Sequence, residues 1–241
     1  MDRADLDLPR VVASVEAMSA EEAIRWALAR FHPRLAFASS FGAEDVVVTD
    51  LLLRERRDAR IFTLDTGRLP EETHDVVRRV RERYGIAIEM FFPDRDAVER
   101  LLREKGSFSF RESVRNRNEC CEIRKVAPLR RALSGIDLWI TGLRRGQATT
   151  RATVSRLDWD ETLGLLKLNP IADWSEERVW DYIRSNDLPY NALHDRGFPS
   201  IGCAPCTRAV DPGEDIRAGR WWWERPEHKE CGLHRYQAKE A

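Results

Sequence analysis

No apolar run in this chain approaches the roughly 18 residues that a membrane span needs. Its opening residues, MDRADLDLPR, lack the basic region and apolar stretch of a leader. The expectation is a cytosolic protein with no membrane partner. An excess of either charge is also missing: 40 Lys and Arg nearly cancel 41 Asp and Glu, leaving a net charge of −1. Bulk electrostatics therefore gives no pull toward nucleic acid. Cysteine is scarce and odd in number, five in all. That argues against a closed disulfide framework and suits a reducing compartment with a metal site and one free thiol.

What is present is 42% hydrophobic residues over 241 positions, enough for one domain with a sizeable core and an appended tail. We expect residues 1–206 to form that domain and residues 207–241 to form a C-terminal segment. Four of the cysteines fall into two tight pairs, Cys120-Cys121 and Cys203-Ala204-Pro205-Cys206, while Cys231 stands apart. A Cys-x-x-Cys turn lets two sulfurs converge on one ion or cluster, and zinc and iron–sulfur centres both accept four thiolates. Structural zinc usually takes ligands two to four residues apart, whereas neighbours on a helix point about 100° apart. The adjacent pair thus reaches two irons of a [4Fe–4S] cluster more easily than two corners of one small tetrahedron. Zinc, or no metal with a vicinal disulfide or a redox Cys-x-x-Cys, remains an alternative at this point.

Along the chain, Ser19 caps a helix to about Arg30 with Glu22 in capping-box position. Arg34 to Ala38 reads as a buried strand running into Ser39-Ser40-Phe41-Gly42-Ala43-Glu44-Asp45 and then an apolar helix. Strand, small-residue turn and helix N-terminus make an anion cradle. The turn lacks both the Walker lysine and Gly-x-Gly-x-x-Gly, so an ordinary turn with a serine cap stays open. Arg60 to Leu64 is a second strand, ending in Asp65-Thr66-Gly67, and Pro70 opens the next helix. Ile86 to Phe92 is a third, closed by Pro93-Asp94 and a helix to about Glu104. Strands alternating with helices predict an α/β fold, a twisted parallel sheet flanked by helices, with ligands at the strands' C-terminal ends.

From Arg111 to Arg156 there are eleven Lys or Arg against four Asp or Glu. A solvated helix face accounts for some of these, but the whole segment reads as an anion site. Asp137 to Thr141 is a fourth strand leading to Arg144 and Arg145, whose guanidinium forks match tetrahedral oxyanions. Leu163 to Asn169 is a further strand, and Ser175 caps a helix to about Asn186. The run Trp221-Trp222-Trp223 anchors the tail more readily than it stacks on adenine.

Cys120-Cys121, Cys203-x-x-Cys206 and Glu230-Cys231-Gly232-Leu233-His234, joined to the Ser39-to-Asp45 turn and Leu64-Asp65-Thr66-Gly67, resemble the assimilatory adenylylsulfate reductases over nearly the whole chain. The resemblance implies an adenine nucleotide α-hydrolase-like, Rossmann-like fold with a mobile C-terminal tail. It implies reduction of adenosine 5′-phosphosulfate to sulfite and AMP in sulfate assimilation, on the way to cysteine, with thioredoxin as a transient electron donor. Carried over, Cys120, Cys121, Cys203 and Cys206 would hold a [4Fe–4S] cluster and Cys231 would be the nucleophile. Lys125 would lie between cluster and substrate. Arg217 and Arg220, with Arg144 or Arg145 and His234, would line the sulfate pocket. Ser39, Ser40, Phe41, Gly42, Leu64, Asp65, Thr66 and Gly67 would hold the nucleotide. A 3′-phosphorylated or dual substrate is the nearest rival, followed by an ATP-consuming sulfur or adenylyl transferase. Whether the chain forms a homo-oligomer is left open.

Overall fold

A computed structural model describes residues 7–148 and 151–225. Its helices are α1 (Leu8–Glu16), α2 (Ala20–Phe31), α3 (Ala43–Glu55), α4 (Glu71–Tyr84), α5 (Arg95–Lys105), α6 (Val114–Cys121), α7 (Ala127–Ala132) and α8 (Glu176–Ser185). Six strands, β1 (Leu35–Ala38), β2 (Arg60–Leu64), β3 (Glu89–Phe91), β4 (Leu138–Ile140), β5 (Leu157–Asp160) and β6 (Leu165–Leu168), form one sheet in the order β3-β2-β1-β4-β6-β5. β1 pairs in parallel with β2 and β4, and β4 with β6. The mixed α/β class is as expected. One strand departs from an all-parallel sheet: β5 runs antiparallel to β6, with Leu157 opposite Leu168. A short Asp160-to-Gly164 turn, with Gly164 N donating to Asp160 O at 2.7 Å, allows this hairpin connection.

Local chemistry explains the boundaries. Ser19 Oγ accepts from Glu22 N at 3.1 Å while Ser19 N donates to Glu22 Oε2 at 2.8 Å, completing the capping box. The stripe Ala23, Ile24, Ala27 and Leu28 is buried. α3 is apolar on most sides and is buried from Asp45 to Leu53, as a helix inside a core must be. Asp94 caps α5 by accepting from Ala97 N at 2.9 Å.

The chain forms two compact units. Among the described residues, the first holds those up to 63, 71–89 and 133–192; the second holds 64–70, 90–132 and those from 193 on. In the first, β1 and β4 are almost wholly buried and the turns after them lie at the same sheet edge. In the second, Ser113 caps α6, which passes into one π-helical turn, Glu122–Val126, before α7. Such widened turns recur at functional sites because they re-aim side chains. Trp221 is 1% exposed in this unit, and Trp223 packs 5.9 Å from Phe110. Among the described residues no helix is long and apolar enough to cross a membrane.

Candidate metal centre and nucleotide turn

In the second unit α6 ends on Cys120 and Cys121, and a single 3-10 turn, Ala204–Cys206, delivers the other pair. All four are free thiols lining one cavity. The 3-10 turn is pinned by Ala204 N donating to Arg68 O at 2.8 Å and Cys206 N donating to Cys203 O at 2.9 Å. Thr66 Oγ1 lies 3.3 Å from Cys203 Sγ, and Arg124 Nη1 donates to Thr66 O at 2.6 Å. Arg68, Arg117, Arg124, Lys125 and Arg220 line the cavity too, and among the described residues no carboxylate joins that lining. Gly202 lets Arg220 lie close under the loop, since a Cβ there would stand 2.2 Å from Arg220 Nη2.

Burial pushes the Cys206 thiol up to about 12 and raises Cys120 as well, an effect that Arg124, Arg68 and Lys125 partly reverse at Cys120. Burial likewise depresses Arg124, with Arg68 adding to it. Buried Nε atoms of Arg124 and Arg220 have no hydrogen-bond partner. Converging thiols, surplus positive charge and orphaned donors fit a net anionic occupant bound through sulfur, which describes a thiolate-held iron–sulfur cluster. Among the described residues no three His, Cys, Asp or Glu side chains gather as a single ion would need.

The first unit holds the turn after β1. Ser40 N and Oγ donate to Asp45 Oδ2 at 2.5 and 2.6 Å, and Gly142 N, from the turn after β4, also donates to the Asp45 carboxylate. Burial outweighs these bonds and pushes Asp45 up to about 6. Phe41 is fully buried with φ +57°, and Gly42 is the N-cap of α3. Ser39 is buried while Ser40 is exposed. Arg144 is 3% exposed and holds Glu44 Oε1 through Nη2 at 2.7 Å and Nε at 3.0 Å. Arg145 pairs with Glu16 and donates from Nε to Val154 O at 2.8 Å. Both forks face partners inside the protein.

Lys125 and Arg220 thus meet the four cysteines, whereas Arg217 lies outside the cavity lining, with its N donating to Asp215 Oδ1 at 2.8 Å. Leu64 ends β2, and Asp65, Thr66 and Gly67 follow it; all four fall in the second unit, where Asp65 Oδ1 accepts from Gly67 N at 2.8 Å. Cys231 and His234 lie outside the described residues. Sequence reading missed Arg68, Arg117 and Arg124. The two helical arginines carried a usable signal, because they stand three or four positions from the adjacent cysteines, the spacing that shares a helix face.

Residues 34–209 match the model of the phosphoadenosine phosphosulfate reductase domain. The chain is 55% identical over 201 residues to the adenosine 5′-phosphosulfate reductase of Allochromatium vinosum, covering 83% of this chain and 78% of that one. It is 50% identical over 226 residues to the Burkholderia cepacia protein of the same name, covering 94% and 89%. A solved phosphoadenylyl-sulfate reductase from Candida auris, in a phosphate complex, superposes with TM-score 0.71 at 27% identity, covering 84% of this chain and 95% of that one.

Proposed function

The chain belongs to the phosphoadenosine phosphosulfate reductase family, and from that premise we propose that it reduces adenosine 5′-phosphosulfate to sulfite and AMP in sulfate assimilation. The observation that carries the choice of substrate class is the meeting of two cysteine pairs with five cations in one cavity, in a chain half identical to reductases of that name. Cys120, Cys121, Cys203 and Cys206 would hold a [4Fe–4S] cluster. When bound, it supplies a covalent tie across the second unit and a local negative charge.

Cys231 is the proposed nucleophile. Its thiolate attacks the sulfuryl sulfur, the S–O bond to the phosphate breaks, and AMP leaves with that electron pair, so that an S-sulfocysteine remains. A thiolate of thioredoxin then attacks the Cys231 sulfur and sulfite departs with the S–S bonding pair. The second thioredoxin thiol resolves the mixed disulfide, returning Cys231 as a thiol. Both electrons come from thiols. Lys125, on the π turn beside Cys121, offsets charge on the transferred group. Arg217, Arg220 and His234 are assigned to the sulfuryl oxygens, whereas the Arg144 and Arg145 forks are taken up by Glu44 and Glu16. The nucleotide is assigned to Ser39, Ser40, Phe41, Gly42, Leu64, Asp65, Thr66 and Gly67. A cytosolic setting follows from chemistry that depends on reduced thiols.

The test is sulfite release by anaerobically purified protein with reduced thioredoxin and either adenosine 5′-phosphosulfate or its 3′-phosphorylated form, with iron and sulfide assayed on the same sample. Preference for the first substrate, with about four irons per chain, is expected. Activity with the 3′-phosphorylated substrate alone would move the chain to the sister reaction, and no sulfite from either on iron-replete protein would overturn the reading.

A further inference from the structure

Arg117 stands three and four positions before Cys120 and Cys121 on α6 and lines their cavity. Its guanidinium grips Glu224 by two hydrogen bonds, Nε to Oε1 and Nη2 to Oε2, both 2.9 Å long. Only 2% and 4% of the two side chains are exposed. So dry a bidentate pair is directional, and breaking it from one side is costly. The chain around Glu224 is tied repeatedly. Thr207 and Arg220 form an antiparallel bridge, Trp221 N donates to Cys206 O at 3.2 Å, and Glu224 N donates to Trp221 O at 2.8 Å. The Arg117 guanidinium also sits 4.8 Å from the Trp221 ring centroid. Trp221 itself holds φ +42°, a left-handed value that a bulky residue keeps only where its surroundings enforce it.

We propose that the Arg117–Glu224 pair is a positioning device, fixing the origin of the segment that carries Cys231 to the helix that carries Cys120 and Cys121. Seven positions separate Glu224 from Cys231, counted as 231 − 224, a reach of about 25 Å when fully extended. Loss of a defined position and direction at Glu224 gives an expected deficit of about tenfold, because small misplacements of a reacting group are heavily penalised.

This inference rests on the assignment of Cys231, so the experiment separates the two. Glu224→Gln, the double variant Arg117→Met/Glu224→Leu and Cys231→Ser are compared as iron-loaded full chains. S-sulfonation of the Cys231 peptide is followed by mass spectrometry in a single turnover, alongside kcat, KM and iron content. Both Glu224 variants should keep their iron and a KM within about twofold of the parent while S-sulfonation and kcat fall about tenfold. The double variant buries no lone charge and covers the case in which Glu224→Gln does not fold. Parental rates in the iron-replete double variant would overturn the proposal. Iron and rate falling together in both variants would also overturn it, by showing the pair to be structural only. Undiminished sulfite release by Cys231→Ser would sink the assignment of the nucleophile instead.

Discussion

In the turn after β1, charged groups find their partners within the protein. Asp45 accepts from Ser40 and Gly142, Arg144 holds Glu44, and Arg145 holds Glu16. In the cysteine cavity, four thiols face Arg68, Arg117, Arg124, Lys125 and Arg220, and Arg117 is clamped by the Glu224 carboxylate. Burial raises the Cys120 and Cys206 thiols, and the Arg124 and Arg220 Nε atoms go unbonded. One region is internally neutralised and its geometry follows from its own hydrogen bonds. The other is pinned at its edges and carries a surplus of positive charge at its centre. Substitutions should therefore act differently in the two, through lost protein partners in the first and through lost occupancy in the second.

The largest expected difference comes from Cys203→Ala. If the cavity is organised by what it binds, removing one thiolate should strip iron from the protein and cost on the order of 5 kcal/mol or more, since site-binding free energy is folding free energy. Iron and sulfide analysis with denaturant unfolding would show it; full iron retention would remove Cys203 from the ligand set and collapse the contrast. Arg144→Met is the counterpart in the first region. It strands Glu44, whose side chain is 20% exposed, so the penalty should fall near the low end for a broken buried pair, about 3 kcal/mol. Iron content should not change. Thermal unfolding and an iron assay on one preparation settle both points.

How much of this could be read from the sequence depended on how local the cause was. The Ser19–Glu22 capping box and the limits of β2 were legible because a few neighbouring residues determine them. So were the cysteine pairs, which carry their spacing with them. β5 was not legible, because Leu157-Asp158-Trp159-Asp160 becomes a strand only through its register with Leu165 to Leu168. The partners of the arginines were hidden for the same reason. Arg144 finds Glu44 across 100 positions and Arg117 finds Glu224 across 107. A basic segment announces positive charge, but distant pairing decides which cations face a ligand and which are already neutralised.

A pH experiment sharpens the first half of the comparison. Asp45 is 7% exposed and titrates near 6 in the folded protein against 3.8 for the ordinary group, with burial as the main cause. A carboxyl whose folded value is raised binds protons more readily in the native state. Its contribution is therefore fully present below pH about 4 and is lost as pH rises through about 6. At 1.36 kcal/mol per pH unit the loss is on the order of 2–3 kcal/mol. Asp45→Asn has no such titration, so the stability of the parent relative to the variant should fall by that amount between pH about 4 and about 7. Parallel urea-midpoint profiles would mean that Asp45 is solvated like a surface carboxylate and that the turn is less closed than its hydrogen bonds imply.

The smallest effects come from one lesion placed in both regions. A Cβ at Gly142 would stand 2.1 Å from Asp45 Oδ1, and one at Gly202 would stand 2.2 Å from Arg220 Nη2. The clashes are equally close, but what gives way differs. The Asp45 carboxyl is short, buried and held by donors from Ser40 and Gly142, so it cannot retreat without opening the turn. Gly142→Ala should cost about 2 kcal/mol, within the range for overpacking. Arg220 meets Gly202 with the far end of a long side chain whose Nε has no partner and whose Nη1 reaches Ser200 Oγ only at 3.5 Å. Gly202→Ala should therefore cost under about 1 kcal/mol, as the guanidinium swings aside. Its displacement removes a cation from the cavity wall, so the loss should appear in sulfite release rather than in the unfolding midpoint. Measured side by side, the first substitution should move the midpoint more than the second, and the second should move activity at an almost unchanged midpoint. The reverse order would show that the turn yields more easily than the cavity, and that the Arg220 guanidinium is held as firmly as the Asp45 carboxylate.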